Sequence, residues 1–180
     1  MAKMAKIAVV YHSGYGHTQR VAEFVAKGAG ADMVVIDANG DLTDEQWATL
    51  DAADAIIMGS PTYMGMASWQ FKKFADASSK KWFTSAWKDK VAGGFTCSAS
   101  YSGDKLSTLQ YFITLSMQQA MIWVGQPALP GADINRIGSN SGVMAQCGPN
   151  DPAEKIPQGD LDTAEAYGKR IAQVATKLRG

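Results

Sequence analysis

An apolar run, Ile7-Ala8-Val9-Val10, gives way after Tyr11-His12 to a hydroxyl- and glycine-rich hexapeptide, Ser13-Gly14-Tyr15-Gly16-His17-Thr18. Val21, Phe24, Val25 and Gly28 then recur at helical spacing. Strand, tight loop and helix in that order constrain the chain more than any other segment. Unpaired amide donors and the positive end of the helix dipole converge at such a junction, which makes it an anion site. Ser13 and Thr18 add hydroxyl donors, and Gly14 and Gly16 let the main chain approach a guest closely. A phosphate group meets these conditions. Taken alone, the loop is equally well explained as an ordinary strand–helix turn with an N-capping Ser or Thr.

What the loop lacks narrows the guest. A triphosphate-binding loop needs Lys followed by Ser or Thr after its last glycine, whereas His17-Thr18 follows Gly16. A dinucleotide fingerprint needs a third glycine three positions after the second, where Gln19 stands; Asp37 could still imitate that fold's ribose-binding acid. A hydroxyl-rich loop without Lys suits a terminal monophosphate such as that of FMN.

Composition sets the outer bounds. A chain of 180 residues, 46% hydrophobic, fits one domain spanning 1–180 with a full core. Seventeen basic and 17 acidic side chains give zero formal charge, against a nucleic-acid binder driven by phosphate neutralisation. No apolar segment approaches the roughly 20 residues that cross a bilayer, so no membrane insertion is expected. Met1-Ala2-Lys3-Met4-Ala5-Lys6 leads into the first strand without a signal-peptide pattern. Cys97 and Cys147 are far apart and lack zinc-type spacing, so no metal is expected. Reduced thiols in a cytoplasmic protein are the simplest reading.

Strand-like and helix-like segments alternate along the whole chain. Further strands are read at 33–36, 55–58, 91–95 and 121–124, the third closed by Gly59-Ser60-Pro61. Thr43 and Gln46 form a capping box opening a helix through Leu50; others are read over 68–77, around Leu106, Leu109 and Ile113, and over 161–178. Near-continuous apolar strands separated by helices indicate a parallel sheet covered on both faces. Five such units predict an α/β, flavodoxin-like, doubly wound five-stranded sheet of order 2-1-3-4-5, its binding crevice at the switch point. The irregular stretch 127–159 contains Ser141 to Ala145, read as a strand fragment returning to the sheet edge.

Loops after the first, third and fourth strands emerge at one carboxyl edge. The second of them, Gly59 to Gly65, offers Pro61, Thr62, Tyr63, Met64 and Gly65; the third offers Cys97, Ser98, Ala99, Ser100, Tyr101 and Gly103. A phosphate cradle between two apolar and aromatic walls suits a flat heteroaromatic ring on a ribityl phosphate, with loop amides bonding the ring's pyrimidine edge. Tyr101 faces the ring or caps its loop, and Cys97 touches the cofactor or is simply a small loop residue.

These loops and the closing helix resemble the WrbA group of flavodoxin-like NAD(P)H:quinone oxidoreductases over nearly the whole chain. The resemblance implies noncovalent FMN, its phosphate at Ser13 to Thr18 and its ring against residues 62–64 and 97–103. It implies NAD(P)H and quinone-like substrates, with Tyr15 near the nicotinamide donor and Trp82 at the substrate face. No protein nucleophile is needed, because the flavin carries the electrons. A homodimer or homotetramer is implied, although an insertion linked to the group's tetramer is largely missing between the second and third strands. Two other departures are a third loop poorer in Thr and Gly, and Met117 aligned with a His that the group often carries near the flavin.

Trp82, Phe83 and Trp87 lie among lysines at 80–88 and are read as a roof over the site or a subunit contact, with core packing open for Trp87. Two other functions stay in view: a flavodoxin-type electron carrier, which should be acidic to steer toward basic partners, and a flavodoxin-like scaffold acting through protein contacts after losing FMN.

Overall fold

The computed structural model describes residues 4–179; the reading of the N-terminal stretch as lacking a signal sequence falls partly on Met1 to Lys3, outside them. The chain runs β1 (Ile7–Tyr11), α1 (His17–Ala29), β2 (Asp32–Val35), α2 (Asp44–Ala52), β3 (Ala55–Tyr63), β4 (Met66–Ala67), α3 (Trp69–Ala77) and α4 (Ser79–Phe83). It continues through β5 (Val91–Ser98), α5 (Lys105–Gln118), β6 (Ile122–Trp123), β7 (Val143–Gln146), a short 3-10 turn at Ala153–Lys155 and α6 (Gln158–Leu178). The sheet order is β2-β1-β3-β5-β6, and all pairs are parallel except β4 against β3.

Side chains of successive strand residues point to opposite faces, and here both faces are covered. Ile7, Val9 and Tyr11 of β1 and Ala55 and Ile57 of β3 pack with Val21, Val25, Ala164 and Ile171 of α1 and α6. Ala8, Val10, Ile56 and Met58 pack instead with Leu50, Phe71, Phe74, Trp87, Leu109 and Phe112. This two-sided burial is why the strands read as unbroken apolar runs. Trp87 is 1% exposed, stacks near Trp47 and belongs to this core, which resolves its alternatives.

Three elements depart from the sequence expectation. β3 continues past Pro61 to Tyr63: β5 still pairs with it through Pro61–Cys97, and β1 has already ended beside Gly59, so on that side there is no ladder for the proline to interrupt. Met64 (φ 47°) and Gly65 (φ 81°) then turn the chain back into β4 as a two-residue hairpin. The fifth lane is split: β6 pairs with Val91–Ala92 and β7 with Phe95–Ser98, while residues 124–142 leave the sheet between them. The fragment expected at the sheet edge is thus the second half of its last strand.

Candidate functional site

The loops after β1, β3 and β5 meet at the carboxyl edge around a cavity of about 410 Å³. Ser13, Tyr15, His17, Thr18, Pro61, Thr62, Tyr63, Cys97, Ser98 and Ala99 line it, joined by Cys147, Pro149 and Asn150. The first ten are residues that the sequence nominated. Among the described residues the lining contains no carboxylate, lysine or arginine.

The first loop closes on itself. Ser13 Oγ accepts hydrogen bonds from Gly16 N–H and Gln19 N–H, each at 3.1 Å. Gly16 precedes α1 with φ 88°, a left-handed conformation that favours glycine. Gly14 lies against the second loop: a Cβ there would lie 2.6 Å from Tyr63 Oη, so the Tyr63 ring would have to shift to admit one. The amides of His17 and Thr18, the first two of α1, find no protein acceptor among the described residues. They are the free donors that an anion would take up. His17 Nε2 reaches Asp151 O at 2.7 Å and ties this loop to the segment after β7.

The second loop supplies a wall. Thr62 Oγ1 lies 2.7 Å from Thr96 Oγ1 and 2.8 Å from Thr108 Oγ1, so buried hydroxyls fix the end of β3. Beyond it, the Tyr63 ring meets Tyr15 edge-on at 6.3 Å. Burial, and then Tyr15 nearby, hold the Tyr63 phenol above its ordinary pKa, so it stays protonated. Met64 and Gly65 form the hairpin tip and do not line the cavity; the Met64 side chain is fully exposed. Behind the wall, buried His12 donates its backbone N–H to Gly59 O, and its ring Nδ1 lies 2.8 Å from Ser68 Oγ. Burial lowers its pKa and keeps the ring neutral.

The third loop is folded around a residue that sequence reading passed over. Lys105 is fully buried, and its Nζ donates to Ser98 Oγ (2.9 Å), Ser100 O (2.5 Å) and Tyr101 O (2.9 Å). Burial lowers its pKa to about 8. One signal was available: a cation in the first turn of a helix opposes the helix dipole, so it needs a specific partner. Gly103 packs against Ser98, while the Tyr101 ring lies under the Arg136 guanidinium at 5.2 Å, beside a separate open cleft. Ser100, Tyr101 and Gly103 therefore build the loop's outer side and do not line the cavity.

Cys97 and Cys147 both line the cavity, yet neither is a ready nucleophile. Burial, followed by the neighbouring Cys147, pushes the Cys97 thiol up to about 12, and burial also raises that of Cys147. Cys147, Pro149 and Asn150 were missed because the fragment at Ser141 to Ala145 reads only as reaching the sheet edge, and its pairing with Phe95–Ser98, which delivers the following residues to the cavity, has no local signal.

Three residues singled out in the sequence lie away from this cavity. Trp82 does not join this cavity within the chain. It sits on α4, whose Lys81 pairs with Asp51 at the end of α2 (2.6 Å), and it packs against Phe83 at the amino edge of the sheet. Met117 lies in the last turn of α5, at that same opposite edge, and is exposed. Asp37 is a turn former whose Oδ1 accepts from Asn39 N–H and Asp41 N–H, each at 2.8 Å; these bonds, led by that from Asp41, hold its carboxyl below the usual range.

Residues 5–133 match the family described as NADPH-dependent FMN reductase. The chain is 47% identical to flavodoxin FldP of Pseudomonas aeruginosa, over 97% of this chain and 99% of that one. It is 34% identical to an NAD(P)H dehydrogenase (quinone) of Geobacter sulfurreducens, again over 97% and 99%. The crystal structure of a flavodoxin, WrbA-like protein from Agrobacterium tumefaciens superposes with a TM-score of 0.82 at 53% identity, covering 96% of this chain and 98% of the other.

Proposed function

The chain belongs to the NADPH-dependent FMN reductase family, and from that premise we propose that it passes two electrons from NAD(P)H to quinones or similar small acceptors, using FMN held in the carboxyl-edge cavity. FMN dependence and NAD(P)H-dependent oxidoreduction follow from the family; the acceptor and the residue roles are our reading. One observation carries it: a cavity with no carboxylate among the described residues, bordered by His17 and Thr18, whose amides find no acceptor among those residues, and by two walls built from Pro61 to Tyr63 and Cys97 to Ala99.

In this reading the His17 and Thr18 amides and the Thr18 hydroxyl hold the phosphate without a lysine, by backbone dipoles and one side-chain donor. Tyr63 and Tyr15 wall the ring and leave one approach open, since Tyr15 is 77% exposed. The protonated thiols of Cys97 and Cys147 and the phenol of Tyr63 offer no competing nucleophile. When bound, FMN supplies the electron-transfer chemistry, and the protein positions it and excludes water. Donor and acceptor using the same opening in turn should give parallel double-reciprocal plots.

The test is purified protein loaded with FMN, then given NAD(P)H and a benzoquinone. Turnover with parallel plots is expected; crossing plots overturn the shared opening. An electron carrier is the second reading, favoured by the name of the 47%-identical relative and opposed by zero net charge. Absence of turnover, with reduction of the flavin in two separate waves, would select it. We also assign exposed Trp82 and Phe83 to self-association as a homodimer or homotetramer; light scattering that finds monomer alone removes this assignment. A cytoplasmic location belongs to the same reading. Among the described residues, no helix is long and apolar enough to cross a membrane.

A further inference from the structure

We propose that Lys105 is the positioning residue of the flavin ring: its buried ammonium holds the carbonyls of Ser100 and Tyr101 and the hydroxyl of Ser98, so that cavity-lining Ser98 is fixed from behind while a positive charge stands one residue behind the cavity wall. This rests on the reading that the FMN ring occupies the carboxyl-edge cavity.

The argument begins with cost. An ammonium removed from water is expensive unless compensated, and one in the first turn of a helix also opposes the helix dipole. Lys105 meets both conditions, being fully buried at the first position of α5. Its direct partners are a hydroxyl and two carbonyls, and no carboxylate touches it. Asp160 acts on it only from a distance and is already engaged by Arg136 at 2.8 Å. An apolar side chain of similar length would fill the space more cheaply, so packing alone does not account for a lysine here.

The geometry supplies what a lysine adds. In a trans peptide the N–H points opposite to the C=O of the preceding residue. With Ser100 O and Tyr101 O turned onto Nζ, the amides of Tyr101 and Ser102 point away from it, and neither finds an acceptor in the protein among the described residues. A loop poor in glycine thus takes its shape from a side chain instead of from permissive dihedrals, and these two residues border the separate cleft, not the cavity. Ser98 connects the two sides, since it lines the cavity while its Oγ accepts from Nζ. A charge at that position interacts more strongly with the electron-rich reduced ring than with the oxidised one.

The test compares wild type with Lys105→Met in three measurements: FMN affinity by fluorescence quenching, competition by inorganic phosphate, and the two-electron midpoint potential of the bound flavin. The expected result is FMN affinity about tenfold weaker, inhibition by phosphate changed less than about twofold, and a midpoint lowered by about 30 mV, the equivalent of a tenfold shift toward the oxidised form. Lys105→Gln, which keeps a donor but not the charge, carries the same measurements if the Met variant does not fold; the lowered midpoint is then the deciding result. A drop in melting temperature with affinity and midpoint unchanged overturns the proposal. Wild type that leaves FMN fluorescence unquenched sinks the cavity assignment itself, whereas wild-type binding with an indifferent variant sinks only the role of Lys105.

Discussion

The first and third loops border the same cavity but are held in opposite ways. Ser13 to Thr18 is shaped by its own residues: a hydroxyl gathers the amides of Gly16 and Gln19, and the two amides between them find no acceptor among the described residues. The third loop is shaped by side chains from elsewhere. Lys105 fills it, Gln146 Nε2 on β7 donates to Ala99 O at 2.9 Å, and Arg136 covers Tyr101 while gripping Asp160 of α6. A local device survives changes in the rest of the chain; a braced one transmits them.

The largest expected effect breaks the brace. Asp160 is 1% exposed and accepts from Arg136 Nε (3.1 Å), Arg136 Nη2 (2.8 Å) and Gln146 N–H (3.0 Å). Asp160→Ala leaves a guanidinium and an amide without their partner and should cost about 3–5 kcal/mol in urea denaturation. A loss below about 1 kcal/mol would show that the third loop stands without its brace. Next comes Ser13→Ala, which removes the shared acceptor of the first loop and should cost about 1 kcal/mol, the scale of a helix cap. An unchanged unfolding midpoint would mean that this loop is not self-closed.

Gln146→Ala sharpens the contrast at lower cost. Its bond to Ala99 O is exposed, so stability should fall by only about 0.5 kcal/mol. FMN affinity should fall more steeply than that figure implies, because the loop loses alignment as well as one bond; equal losses would argue against any bracing role. The smallest effect lies behind the second loop, at neutral, buried His12. Its folded-state pKa is below the ordinary 6.5, so its contribution to stability is complete above pH 6.5 and is lost as pH falls toward the folded value. Acid titration of wild type against His12→Gln should show the variant losing less stability below pH 6.5. Parallel curves would dissociate His12 from the acid limb.

The same contrast explains what could be read in advance. Ser13 to Thr18, the capping box of Thr43 and Gln46 (3.3 and 2.8 Å), and the apolar strands are contiguous features whose chemistry is complete within a few residues. They yielded the sheet order and ten of the cavity's lining residues. Cys147, Pro149 and Asn150 depend on the split lane bringing distant segments together, whereas Lys105, bonded to Ser98, Ser100 and Tyr101 just before it, is legible only as a cation in the first turn of α5. Trp82 lies away from the cavity of its own chain for a related reason. An aromatic residue among lysines has an appearance but no address, and only the path from α3 through α4 to β5 puts it at the far edge.

The interrupted last lane has a consequence for how this scaffold tolerates change. Since β6 and β7 each take their register from β5, the excursion between them is a natural graft point. Doubling the length of such a bulge adds only about 0.6 kcal/mol of closure entropy. Foreign sequence spliced between Pro130 and Ala132, on the solvent side of the excursion, would hang off the border of the sheet. New recognition surface could therefore be acquired there while Cys147 to Asn150 return, unshifted, to complete the pocket.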